Sequence, residues 1–175
     1  MADRSNTANA YVCECGNHAW KPITKGYVVL VDPEDSSLIE GGIHAHLSKT
    51  GRNVYAADWE RRYIHTRIVR APRGKFVDHR DGNGLDNRRE NLRVATYSQN
   101  QHNRKKTPGL SSRFKGVSYC KRRDRWEVRA TVNRQHFRAG YFEDEIEAAK
   151  AYDRLARELH GEFARTNESL GLLAG

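Results

Sequence analysis

"FVDHRDGNGLDNRRENL" runs from Phe76 to Leu92 and sets Asp78 directly before His79, ahead of a Gly82-Asn83-Gly84 turn and a run of Asn and Arg. Turn residues suffice for a loop, and an adjacent Asp-His pair adds nothing to one. Hydrolysis of a phosphodiester does use such a pair. A His near its ordinary pKa can take a proton from water. A hard divalent ion held by oxygen ligands can neutralise charge on the phosphate. On a strand, Asp78 and His79 point to opposite faces, so one binds metal while the other faces the attacking water. Downstream, "YSQNQHNRKK" reads as a short helix started by Ser98, on which Asn100 offers a neutral oxygen as second ligand. One carboxylate and one amide leave most metal positions to water and phosphate, as a magnesium-type ion requires. On this reading the Asn and Arg residues around the turn surround a phosphate.

The rest of the chain supports a polyanionic partner. The 175 residues carry a net charge of +9. Between Gln101 and Tyr141 stand twelve Lys and Arg, opposed only by Asp124 and Glu127, so the remainder is close to neutral. A basic block of that kind is the footprint of a nucleic acid; the alternative is a solvated basic surface. No apolar run approaches the roughly 20 residues that span a membrane. The polar N-terminus lacks an apolar h-region, and three cysteines is an odd count. Together these point to a reducing cytoplasm without structural disulfides.

The expected fold class is α+β, in two modules. Residues 1–10 read as a disordered tail, 11–103 as the first domain, 104–112 ("RKKTPGLSS") as a linker, 113–167 as the second domain and 168–175 as a tail. In the first domain "YVVLVD" reads as a strand and "PEDSSLIEGG" as a short helical turn. "NVYAADWERRYIHTRIV" reads as two strands joined near Trp59 to Arg61. In the second, "FKGVSYCKR", "RWEVRATVN" and "QHFRAGYF" are strands at hairpin spacing, with turns at Arg122 to Asp124 and at Asn133-Arg134. Trp126, Val128, Ala130 and Val132 alternate with Arg125, Glu127, Arg129 and Thr131, giving one apolar and one mostly basic face. "DEIEAAKAYDRLARELHG" reads as a helix with Asp144 and Glu147 as a capping box and Gly161 as the stop. Ile146, Ala149, Tyr152, Leu155, Ala156 and Leu159 form its apolar stripe.

"VDHRDGNGLDNRRENLRVATYSQNQHNR" closely resembles the His-Asn-His (HNH) endonuclease motif, in the phage and intron-homing variant with Asn at the third position. Asn91 lies twelve residues after His79, and Asn100 nine after Asn91. The resemblance implies a ββα-metal (His-Me finger) module around one Mg2+ or Mn2+. In it His79 is the general base and Asp78 and Asn100 are the metal ligands. Asn91 holds the loop and orients His79, and Asn103 is a further candidate for phosphate or metal contact. Products with a 5′-phosphate and a 3′-hydroxyl are implied. His65 falls where the family has a His followed by Arg, but Thr66 intervenes here, so a structural hydrogen bond is the competing role.

"CECGNHAW" gathers Cys13, Cys15 and His18. It reads either as a structural zinc site, which His44 or His46 could complete, or as a turn with ordinary thiols. Cys120 reads as an isolated strand residue.

The stretch from Ser112 to Asn167 resembles the APETALA/ethylene-response-factor DNA-binding domain. Its landmarks are Lys115-Gly116-Val117, Trp126, Gly140-Tyr141-Phe142, Glu147-Ala148-Ala149, Ala151-Tyr152-Asp153 and His160-Gly161. That family lays a three-stranded sheet in the major groove of double-stranded DNA with a helix behind it. Matching positions imply DNA contacts from Lys115, Ser118, Arg125, Arg129, Thr131, His136 and Arg138. Arg122 and Arg123 are expected on phosphate, which positions the protein without reading sequence. Ser118 and Arg138 stand where plant members have Arg and Trp, so base preference does not transfer. The whole reads as a site-specific, homing-type endonuclease, monomer or homodimer, of a phage or mobile element. The alternatives are a DNA-binding regulator with an inactive nuclease fold and, third, an RNA-binding protein, which the narrow major groove of A-form RNA disfavours.

Overall fold

The computed structural model describes residues 9–48, 51, 53–103, 111–133 and 135–173. Most of the expected N-terminal tail and linker, and position 134 of the expected Asn133-Arg134 turn, lie outside the described residues. The chain divides into two compact units, Met1–Thr96 and Tyr97–Gly175. Among the described residues no helix is long and apolar enough to cross a membrane.

The first unit opens with an antiparallel sheet in the order β1 (Tyr11–Val12), β2 (Ala19–Pro22), β3 (Val28–Val31). The "PEDSSLI" turn is a 3-10 helix, Pro33–Ile39, with Pro33 at its start, where its missing N–H costs nothing. A hairpin of β4 (His44–Leu47) and β5 (Val54–Ala57) follows. The expected second strand after Trp59 is instead a short helix, α1 (Ile64–Ile68). The reason is burial: Ile64, His65 and Ile68 fall on one helical face and enter the core, which a strand would split between two faces. Finally β6 (Phe76–His79) pairs antiparallel with β7 (Leu92–Ala95), Asp78 opposite Arg93 and His79 opposite Leu92. The core joins Ala19, Val29, Val31, Ile39, Ala56, Ile64 and Leu92.

The β6–β7 connection is pinned to the lead-in. The Leu30 amide donates to the Leu85 carbonyl and the Asn87 amide to that of Leu30, making a parallel bridge from β3 to the loop. Arg89 donates from its backbone to Asp32 at 2.7 Å and through its guanidinium to Asp35 at 2.8 and 2.9 Å. Gly84 is required here, since a Cβ would lie 2.4 Å from the Val54 carbonyl oxygen and 2.5 Å from the Tyr55 ring.

In the second unit α2 (Tyr97–His102) packs on the 3-10 turn Gly161–Phe163, although its sequence precedes the linker. The three expected strands are present: β8 (Val117–Cys120), β9 (Arg125–Val132) and β10 (Gln135–Phe142), in the order β10-β9-β8. One face packs on α3 (Glu145–His160) through Val117, Val128, Ala130, Ala149, Tyr152 and Ala156. Asp144 caps α3, its carboxylate accepting from the Glu147 amide at 2.7 Å, and Gly161 ends it at φ 52°; such a cap contributes about 1 kcal/mol. Ile146 departs from the expected stripe and is exposed, while Ala148 and Ala151 are buried. In the first turn the buried face is already filled by Ala148 and Ala149.

Two landmarks of the second unit have one steric cause. Gly116 has φ 73°, and a Cβ there would stand 1.9 Å from the Tyr152 ring. The glycine therefore lets the β8 entry lie flat on the helix. Asp153 accepts from the Asn167 and Glu168 amides and the Asn167 side chain, and Asn167 in turn binds the Lys115 backbone. Leu172 and Leu173 pack on the core, so residues 168–173 are part of the unit rather than a frayed tail.

Candidate active site and nucleic-acid interface

His79 ends β6 with its ring buried among aromatic groups. The His65 ring meets it edge-on at 4.9 Å and Tyr55 lies at 5.9 Å. Tyr63 stacks on His65 at 5.4 Å and its hydroxyl reaches His46 Nδ1 at 3.1 Å. The side chain that meets Nε2 of His79 is that of Asn87, whose Oδ1 lies 3.3 Å away. Asn87 Nδ2 donates to the Leu85 carbonyl at 3.0 Å, which turns Oδ1 toward the imidazole. An amide oxygen only accepts, so Nε2 carries the hydrogen and Nδ1 the lone pair. Burial lowers the His79 pKa below its ordinary value, against the hydrogen bond to Asn87 and the charges of Asp81, Asp78 and Asp86. His79 is thus neutral near pH 7 with one defined basic nitrogen.

Asn91 holds the loop between the strands. Its Oδ1 accepts from the Asp81 amide at 3.1 Å, and Nδ2 donates to Asp81 Oδ1 at 2.9 Å and to the Asp86 carbonyl at 2.8 Å. Asp81 and Asn83 then accept from amides two residues ahead, closing Asx turns around Gly82. Asn87 is fully buried, yet the spacing of the motif gave it no role; only the docking of the loop on β3 brings it to His79.

Asp78 is buried against its cross-strand partner: Arg93 places Nε and a terminal nitrogen each 2.9 Å from Oδ2. Among the described residues Asp78 joins no cluster of three or more His, Cys, Asp or Glu ligand atoms. Its lone carboxylate suits a hard ion that keeps most of its water, not an all-protein cage. Asn100 lies on α2, in the second unit, and Asn103 follows it, receiving the Arg165 guanidinium at 3.5 Å.

Arg88 and Arg89, expected around a phosphate, are occupied within their own unit. Arg88 forks onto Asp86 at 2.7 and 2.9 Å, and Arg89 forks onto Asp35. They fix the loop instead. His65 is buried with Nδ1 unpartnered, so the structural hydrogen bond expected of it is absent at that atom. Burial, and then the charge of His79, lower its pKa to about 3.

Cys13, Cys15 and His18 do come together, their ligand atoms all within 4.8 Å of one another, and could bind a metal. His44 and His46 do not join them: His44 stacks on Trp59 at 4.9 Å and His46 meets Tyr63. Cys120 ends β8 as a free thiol.

In the second unit the outward face of the sheet carries Ser118, Arg125, Arg129, Thr131, His136 and Arg138, as the alternation predicts. At its centre is a group the sequence reading passed over. Glu127 is 6% exposed and accepts from Arg129 at 2.8 Å, Arg138 at 2.7 Å and the Tyr141 hydroxyl at 3.0 Å. Burial raises its pKa, but the hydrogen bonds from Arg129 and Tyr141 and the two guanidinium charges prevail and lower it. A bulge between Arg138 and Gly140 makes this possible, because it puts both Arg138 and Tyr141 on the Glu127 face. Thr131 meets His136 at 3.0 Å and Arg125 pairs with Glu143 at 2.7 Å. Arg122 and Arg123 lie exposed in the β8–β9 turn, Arg123 over the Tyr141 ring at 4.6 Å. Lys115 is set apart on the turn before β8. Burial, with Arg165 adding to it and Asp153 opposing, brings its amine down to about 8.

Comparison with known proteins finds two families along the chain, the first reaching through α2. The family model described as HNH endonuclease matches residues 70–102, and the one described as AP2 domain matches 112–162. Protein 3.8 of Escherichia phage T7 is 40% identical over 96 residues, 54% of this chain and 77% of that protein. An uncharacterized HNH endonuclease of Acanthamoeba polyphaga mimivirus is 35% identical over 109 residues, 61% of this chain and 56% of the relative. No solved structure matches the chain.

Proposed function

The chain belongs to the HNH endonuclease family and carries an AP2 DNA-binding domain behind the nuclease motif, and from that premise we propose a site-specific, homing-type DNA endonuclease. The first module hydrolyses the phosphodiester; the second selects and holds the site. Both relatives are viral, so the proposed setting is the cytoplasm of an infected cell.

The observation that carries this reading is the state of His79: buried, neutral and locked in one tautomer by Asn87. Nδ1 of His79 takes the proton from the attacking water, and the Nε2–H bond to Asn87 stabilises the imidazolium that forms. Asn91 keeps the loop, and with it Asn87, in place. By the family motif, Asp78 and Asn100 would hold one hard divalent ion, Mg2+ or Mn2+, which supplies charge against the phosphate and the leaving oxygen. Arg93 fixes the Asp78 carboxylate for that task.

The second module brings a basic sheet face, and strands are among the elements that read the major groove. Arg125, Arg129 and Arg138 are its candidates for base edges, with Ser118, Thr131 and His136 beside them. Arg122 and Arg123 take phosphates. Tethering the two modules raises the effective concentration of the cutting site near its target.

The test is to incubate the full chain with phage or host DNA and Mg2+ and to map the ends. Cleavage at defined positions, with 5′-phosphate ends and inhibition by EDTA, is the expected result. DNA that is bound but intact would establish the regulator instead, and cutting in metal-free buffer would remove the Asp78–Asn100 site.

A further inference from the structure

The first unit holds a second concentration of ligand groups, at its opening hairpin and unused by the nuclease chemistry. β1 is two residues long and both Tyr11 and Val12 are exposed. A strand so short has little of its own to hold it on β2 beyond the stacking of Tyr11 on Trp20 at 4.8 Å. The turn that joins the two strands is nonetheless sharply defined. The Cys13 amide donates to the His18 carbonyl at 2.9 Å and the Gly16 amide to the Cys13 carbonyl at 2.8 Å, with Gly16 at φ 71°.

This turn aims three side chains at one point. Cys13 and Cys15 Sγ are 2.8 Å apart, and Cys15 Sγ is 3.6 Å from His18 Nδ1. The Cys15 backbone amide also points at Cys13 Sγ, at 3.4 Å. Apolar burial does not explain the grouping, because Cys15 is exposed and none of the three joins the core. Among the described residues this is the one cluster of three His, Cys, Asp or Glu ligand atoms.

We propose that Cys13, Cys15 and His18 bind a structural Zn2+ that staples β1 to β2, separate from the ion of the nuclease site. Two thiolates and an imidazole are a soft donor set that selects zinc over magnesium, and two thiolate charges balance the ion. Binding releases the two thiol protons as the sulfurs engage the metal. Two sulfurs on a tetrahedral zinc stand roughly 3.8 Å apart, so the thiols part by about 1 Å to admit it. Exposure of Cys15 leaves the fourth position to water. The site thus divides metal chemistry within the chain: a soft site that holds a strand, and a hard oxygen site that serves catalysis.

The test uses the full chain, purified without chelator and analysed for metal by mass spectrometry. Stoichiometric zinc is expected, lost in Cys13→Ser and in Cys15→Ser. Because a variant that loses zinc through misfolding would mislead, the wild-type chain is also stripped by chelation and titrated with Co2+. A thiolate-to-cobalt charge-transfer band supports the site, with one equivalent saturating it. A purified wild-type chain without zinc that gives no such band overturns the proposal, as does a Cys13–Cys15 disulfide in the purified chain. Zinc retained by both serine variants places the metal elsewhere and overturns it equally. None of these readouts depends on DNA cleavage.

Discussion

Asn87 Oδ1 accepts the Nε2–H of His79 at 3.3 Å while its own amide donates to Leu85, so one buried side chain sets the tautomer of His79. Replacing Asn87 by Asp puts a carboxylate where the amide oxygen stood. The imidazolium gains a charged partner and its pKa rises. The acid limb of the cleavage rate then moves to higher pH in Asn87→Asp, while DNA affinity at neutral pH stays close to wild type. Asn87→Ala removes the amide that His79 Nε2–H meets, while the Leu85 carbonyl keeps the Leu30 amide, and loss of a buried hydrogen bond costs about 1–3 kcal/mol of stability. Single-turnover cleavage across pH distinguishes the roles. An unmoved pH profile in Asn87→Asp removes Asn87 from the site.

His79→Ala removes the proposed base itself. Cleavage is expected to fall by roughly 10²–10⁴-fold, the usual worth of a positioned general base. Binding to the same DNA is expected to persist, because the recognising sheet lies in the other unit. Cutting at the wild-type rate would refute the assignment, and gel-shift and cleavage assays on one duplex read both quantities.

How far this site was readable in advance depends on the residue. His79 and Asn91 stood out because the motif fixes their spacing, and the sheet of the second unit stood out because strict alternation over Arg125 to Val132 admits one face assignment. Asn87 was hidden, since its role arises when the loop docks on Leu30, a contact between distant segments. Glu127 was hidden for a related reason. In the alternation it is another polar residue, and it becomes buried only because the bulge after Arg138 brings Tyr141 and Arg138 over it. The helix at Ile64–Ile68 is too short for its period to show. Arg89 looked like a phosphate ligand because its acidic partner Asp35 comes from the distant lead-in, whereas Arg88 pairs with Asp86 and Glu90 of its own loop.

The neighbour of His79 gives a stability prediction. His65 has its pKa lowered to about 3, mainly by burial. In the unfolded chain it titrates near 6.5. The unfolded state therefore binds the proton first as pH falls, and stability contributed by neutral His65 is complete above 6.5 and lost progressively toward pH 3. The loss is on the order of 5 kcal/mol across that window, with His79 shifting in the same sense. His65→Phe keeps an aromatic ring against Tyr63 and has nothing to titrate. Its urea midpoint is expected to fall less steeply between pH 6.5 and 4 than that of the wild type. Parallel slopes would contradict the assignment.

Glu127 offers the sharpest test of the recognition sheet. Its carboxylate pairs with Arg129 and Arg138 on the face proposed to meet DNA, and in doing so sets one negative charge at the centre of a basic surface. If its role were only electrostatic hindrance, Glu127→Gln would tighten binding to every sequence. If it positions the two guanidinium groups, the same change frees them and lowers affinity for the cognate site more than for random DNA. We expect the second outcome, because Tyr141 and both arginines converge on one buried carboxylate. The comparison is Arg129→Ala, expected to cost roughly 1–3 kcal/mol at the cognate site when it reads a base. Glu127→Gln should show a smaller loss with the same bias between sites. Measuring both variants on cognate and scrambled duplexes at two salt concentrations separates the cases, since a phosphate contact alters the salt slope and a base contact does not. Uniform tightening by Glu127→Gln would show that the carboxylate opposes DNA rather than shaping its reading.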